Sequence, residues 1–104
     1  MDDQYTVVDV SDPSVRRDAS GGLMAASSFE IELKAGANTV LRCVKITDAA
    51  RDDYELRMQS MGRTVNLKGD IRKTLERFLS PGSERFWDPA KEIEIELHYP
   101  DLLR

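Results

Sequence analysis

The chain holds one histidine, His98, and one cysteine, Cys43, so side-chain nucleophiles, bases and soft metal ligands are scarce. His98 follows Glu92, Glu94 and Glu96 at intervals of two, and on an extended strand all four share one face. An imidazole among carboxylates could move protons or join a metal shell. No second histidine or cysteine stands at ligand spacing, so His98 reads as a surface residue. A nucleophilic Cys43 would need a base beside it, and His98 is the one on offer. Cys43, between Arg42 and Val44, reads instead as a small buried hydrophobe. With no phosphate loop either, the expectation is a non-enzyme with no cofactor and no metal.

Binding chemistry has more to work with. The Glu92, Glu94, Glu96 stripe would form an acidic docking face unless Arg42, Lys45 or Arg57 on a neighbouring strand pairs with it. Phe86 and Trp87 lie in a turn-rich stretch over 80–89, and tryptophan is common at interfaces. Arg57, Arg63, Lys68, Arg72, Lys73 and Arg77 face only Asp70 and Glu76 over 57–77, a basic surface of the kind nucleic acid uses. Such binders add stacking aromatics, and the outward positions of the predicted strands carry none.

These residues must be positioned by local structure. Phe29–Lys34 and Glu92–Tyr99 alternate apolar and charged side chains, the pattern of strands with one face on a core. A short strand is predicted at 5–10. A hairpin follows over 29–47, turning at Ala35–Asn38, and its second strand, Thr39–Thr47, is apolar on both faces as a central strand is. Tyr54, Leu56 and Met58 alternate, Met61-Gly62 supplies a turn, and Arg63–Leu67 returns as another strand. Asp70 suits an N-cap, and Ile71, Leu75, Phe78 and Leu79 make one face of a helix over 70–79. The predicted core is Phe29, Ile31, Leu33, Val44, Ile46, Leu56, Met58, Val65, Leu67, Ile71, Leu75, Phe78, Leu79, Ile93, Ile95 and Leu97.

The expected fold is α+β: a single antiparallel sheet of five to six strands with one amphipathic helix packed on its apolar face. Residues 1–28 would be a short strand and mobile linker, with a short helix at 13–18 an option, and 29–104 the domain. At 104 residues, 33% charged and net −4, the chain suits one small soluble domain. Met1–Gln4 lacks a basic-then-apolar leader and no apolar run spans a bilayer, so a cytoplasmic location without membrane contact is expected. Open sheet edges make a homodimer through an edge strand an option.

Two resemblances bear on function. Arg16-Arg17 before Asp18-Ala19-Ser20-Gly21-Gly22 is similar to elements of cyclic-dinucleotide-binding PilZ domains, but the glycines come one residue early and no barrel follows. The strand and helix order over 29–79 resembles, in topology alone, PUR-repeat and Whirly-type single-strand nucleic-acid binders. That resemblance implies a nucleic-acid-binding domain using the 57–77 basic surface. Weighed together, these features favour a non-catalytic protein-interaction module, whether adaptor, assembly subunit or phage-type inhibitor. It would bind a protein partner through the acidic strand face, an open sheet edge or the Phe86-Trp87 loop.

Overall fold

A computed structural model of the chain describes residues 4–16, 26–83 and 85–103. The PilZ-like stretch from Arg17 through Gly22 lies outside the described residues. The order of elements is β1 (Thr6–Val10), β2 (Ser14–Arg16), β3 (Ala26–Ala35), β4 (Asn38–Thr47), α1 (Asp48–Ser60), α2 (Leu67–Phe78), β5 (Glu94–Leu97) and α3 (Tyr99–Leu102). The class is α+β, as the alternation implies, but the sheet is mixed and only four strands wide. Its order is β1-β3-β4-β5, with β2 taking a second stretch of β3. Residues 14–16 are therefore strand, not the short helix considered for 13–18.

The β3–β4 hairpin is the longest ladder, ten antiparallel pairs from Ala26–Thr47 to Ala35–Asn38. β5 runs parallel to β4, pairing Cys43, Val44, Lys45 and Ile46 with Glu94, Ile95, Glu96 and Leu97. The parallel sense arises because two helices, rather than the two strands expected over 54–67, carry the chain across. The likeness to PUR-repeat and Whirly-type topology fails at the same point.

The misreading of α1 is one of period. Tyr54 and Met58 satisfy both an i, i+2, i+4 strand and an i, i+4 helix, and Leu56 breaks the tie. Ala50, Tyr54 and Met58 are buried, whereas Leu56 is 63% exposed. Thr47 caps the N-terminus, its Oγ1 accepting from Ala50 N at 3.2 Å. The Met61-Gly62 turn is the C-terminal cap. Gly62 N donates to Gln59 O at 3.0 Å and Arg63 N to Met58 O at 2.9 Å, the paired bonds of a Schellman motif. Gly62 takes φ +67°, which is why glycine stands there.

α2 begins a turn earlier than the sequence pattern indicates. Asn66 is its N-cap, with Oδ1 accepting from Gly69 N at 3.2 Å. A side chain at Gly69 would strike that cap, because a Cβ would lie 2.5 Å from Asn66 Nδ2. Asp70, released from capping, accepts a short hydrogen bond from Tyr54 Oη, which in turn accepts from Asn66 N at 3.3 Å. This contact ties α1 to the start of α2.

One core forms between the sheet and the helices. Phe29, Ile31, Leu33, Val44, Ile46, Met58, Ile71, Leu75, Phe78, Leu79, Ile95 and Leu97 are buried as expected. Leu56, Val65 and Ile93 are exposed instead, and Leu67 is only partly buried. Val65 lies in the link between helices and Ile93 precedes β5, so neither holds a strand position. Val7, Val10, Tyr54, Trp87 and Leu102 complete the cluster. Val7 and Val10 both face inward because a bulge between Val7 and Asp9 sets them opposite Leu33 and Ile31, with Val8 left 44% exposed. Among the described residues, no helix is long and apolar enough to cross a membrane.

Burial and the Asp70 bond raise the Tyr54 hydroxyl from 10.0 to about 12. A raised pKa means that the protonated hydroxyl stabilises the fold. That contribution is whole below pH 10 and is lost as pH rises through about 12. Tyr54→Phe should lower stability by about 1–2 kcal/mol at neutral pH, read as a lower urea midpoint. The variant should also lack the last tyrosinate absorbance step, expected for the wild type near pH 12.

Candidate interaction face

Pairing through the ladders decides which side chains stand together on the sheet surface opposite the helices. Core-facing residues of β3 and β4 pair with each other, as Phe29 does with Val44, so the alternate positions share the other face. Across that face Asp9, Glu32 and Leu41 form one row. Glu30, Cys43 and Glu94 form the next, and Ser28, Lys45 and Glu96 the third. Thr6, Lys34 and Thr39 lie toward the hairpin turn. Five carboxylates thus share the face with two ammonium groups, and Leu41, 54% exposed, sits among them.

No described helix covers this surface. The buried apolar residues of all three helices join the cluster with Phe29, Ile31, Leu33, Val44 and Ile46 on the opposite side. The Ala26–Ser28 end differs, since β3 is buried on both faces there.

The acidic stripe inferred from the sequence is therefore both smaller and larger than expected. Glu94 and Glu96 belong to it, whereas Glu92 precedes β5 in a turn where its N–H donates to Asp88 O at 3.0 Å. Asp9, Glu30 and Glu32 extend it. Glu30 and Glu32 were visible as an alternating pair in the sequence, but only the β3–β4–β5 register brings them beside Glu94. Of the cations expected to pair with the stripe, Lys45 alone lies on this face, opposite Glu96. Arg42 is on the core side, where Nε donates to Pro89 O at 2.7 Å. Arg57 belongs to α1 and stacks on Tyr99, 4.9 Å from the ring centroid.

Cys43 is half-buried on this face rather than in the core. His98 lies four residues beyond Glu94, its lateral neighbour, or about 13 Å along the strand. The two cannot act as nucleophile and base at that separation.

The six cations of the 57–77 surface lie on the helical layer and the link between its helices, and several already hold the fold together. Arg72 Nη2 donates to Val7 O at 3.0 Å and Nε pairs with Glu76 at 3.3 Å. Arg77 Nη2 donates to Asp101 O at 2.7 Å, and Lys68 pairs with Asp12 at 2.9 Å. Arg63 and Lys73 are exposed. Phe86 and Trp87 part company: Phe86 is 48% exposed, whereas Trp87 is 1% exposed in the core, its backbone N–H bonded to Phe78 O at 2.8 Å.

No family model, no curated protein and no solved structure matches the chain.

The single thiol is a built-in probe of the face. A neutral maleimide should label Cys43 in the folded protein. An anionic disulfide reagent should react more slowly than the maleimide, corrected for intrinsic reactivity, because of the surrounding carboxylates. Raising salt, or making Glu30→Gln with Glu32→Gln, should speed the anionic reagent severalfold and leave the neutral one unchanged.

Proposed function

We propose that this protein is a non-catalytic interaction module whose partner is a protein carrying a basic, partly apolar surface that docks on the open sheet face. The observation that carries this reading is the concentration of Asp9, Glu30, Glu32, Glu94 and Glu96, with the exposed Leu41 in the row of Asp9 and Glu32, on a face that no described helix covers. A parallel pair such as β4–β5 is ordinarily covered on both faces, so a partner laid over it would complete a familiar arrangement. Carboxylates at the rim would steer a cationic partner and set its orientation, while Leu41 would supply apolar contact.

The face is favoured over the edges because both edges are blunted. Strand β5 is four residues long, and Arg85 Nη2 donates to Glu96 O at 2.7 Å. Strand β1 is bulged, and Arg72 donates to Val7 O. Short strands, bulges and covering cations are common devices against edge pairing. They leave a homodimer through an edge strand with little to build on. The nucleic-acid alternative would rest on Arg63 and Lys73 together with cations already committed to Val7, Glu76, Asp12 and Asp101.

The test is affinity capture from the source cells with wild type, with Glu30→Lys plus Glu32→Lys, and with Arg72→Ala plus Lys73→Ala. The expected result is one protein recovered near stoichiometry, lost with the glutamate reversals, kept with the cation removals and released by salt. Recovery indifferent to the reversals, or recovery of nucleic acid that depends on Arg72 and Lys73, would overturn the reading.

A further inference from the structure

Helix α1 carries a second apolar surface on the helical layer, across the sheet from the acidic face. Ala50, Tyr54 and Met58 enter the core, whereas Leu56 is 63% exposed and Met61, the C-cap residue, 51% exposed. Both border a cleft of roughly 440 Å³ with Asp53, Arg57, Ser60 and Leu103. Asp53, Leu56, Arg57 and Ser60 stand at i, i+3, i+4 and i+7, the four corners of a hole on a helix surface. Charge is graded along the same helix. Up to Glu55 it holds Asp48, Asp52, Asp53 and Glu55 against Arg51, and beyond that point only Arg57, with Arg63 past the cap. Arg51 pairs with Asp48 at 3.4 Å. Asp52, Asp53, Glu55 and Arg57 have no ion-pair partner among the described residues, and Arg57 is steadied by stacking on Tyr99.

We infer that this surface binds a second copy of the chain, α1 against α1 in antiparallel sense about a two-fold axis beside Leu56. The surface holds both halves of its own complement. Leu56 is a knob, and the hole it helps to frame accepts Leu56 of the other copy. Met61, unbranched and adaptable, and Leu103 add apolar wall to the cleft. With the axis at Leu56, antiparallel order sets Glu55 of each copy opposite Arg57 of the other, and Asp53 opposite Gln59. The acidic end of each helix then meets the basic end of its partner, and the two helix dipoles run in opposite directions. A parallel pair would instead lay Asp52 and Asp53 against their own copies. A foreign partner would have to reproduce this reversed order of charge, which a second copy supplies by symmetry. The contact is centred on one helix of 13 residues. It falls short of a standard interface of about 1,600 Å², so a reversible dimer with Kd on the order of 10 μM is expected. This inference does not depend on the reading of the sheet face.

The test is sedimentation equilibrium of the full chain from about 1 μM to about 1 mM. A monomer–dimer equilibrium is expected. Leu56→Asp, at an exposed position, should raise Kd at least about tenfold. Glu55→Arg and Arg57→Glu should each associate severalfold more weakly alone, because like charges then meet across the axis. Mixed in equal amounts, the two variants should form a heterodimer of wild-type affinity, since both facing pairs are again opposite in sign. A folding defect, or association through another surface, would not produce that recovery. A monomer at every concentration, a dimer indifferent to Leu56→Asp, or a mixture that associates no more tightly than its components would overturn the proposal.

Discussion

The β3–β4–β5 ladder sets both surfaces of the sheet at once. Phe29, Val44 and Ile95 are lateral neighbours on the core side, and Glu30, Cys43 and Glu94, one residue along, are lateral neighbours on the other. Because side chains alternate with a period of two, the register cannot be changed for one face alone. A slip of one residue in β4 would bring Cys43 and Lys45 inward and expel Val44 and Ile46, both fully buried. The energy of the core therefore holds the acidic face in place. No interaction among the carboxylates is needed to assemble them, and their mutual repulsion is tolerated because the register is fixed from the far side.

Arginine does the corresponding work at the margins. Arg72, Arg77, Arg85 and Arg42 each donate to a backbone carbonyl distant in sequence: Val7, Asp101, Glu96 and Pro89. The guanidinium fork suits this role, because it can satisfy a carbonyl while its stem lies on apolar surface. Asp101 is a second hub. Its side chain accepts from Arg85 and from His98 N, and its carbonyl accepts from Arg77 and Thr74. These contacts pin the single turn of α3 and bury Leu102 against the core. Several cations of the basic cluster in sequence are thus engaged in structural contacts on the helical side, away from the acidic face.

Much of the fold was legible because burial imposes period. The strand over 29–34, the hairpin that follows it and the buried stripe Ile71, Leu75, Phe78 and Leu79 all came through, since each repeats one spacing over enough residues. The segment 54–67 did not. Tyr54, Leu56 and Met58 offer three apolar residues that fit either period in part, and Met61-Gly62 serves equally as a hairpin turn or a helix cap. Thr47 followed by Asp48, with glycine after fourteen residues, was the available helix signal. It was outweighed by alternation. The parallel direction of β5 was then lost as well, since it depends on what lies between the strands.

The sequence by itself determined that the protein is α+β, that its long hairpin buries Phe29, Ile31, Leu33, Val44 and Ile46, and that acidic side chains alternate with them. Those properties are local: they follow from side-chain polarity read at a period of two or of three to four. Only the tertiary structure decided which acids become neighbours, that Glu92 is not among them, and that Trp87 is core while Phe86 is surface. It also decided that Arg42 and Arg57 lie away from the acidic stripe. These are matters of register, strand direction and loop path, and each is set by contacts between residues far apart in the chain.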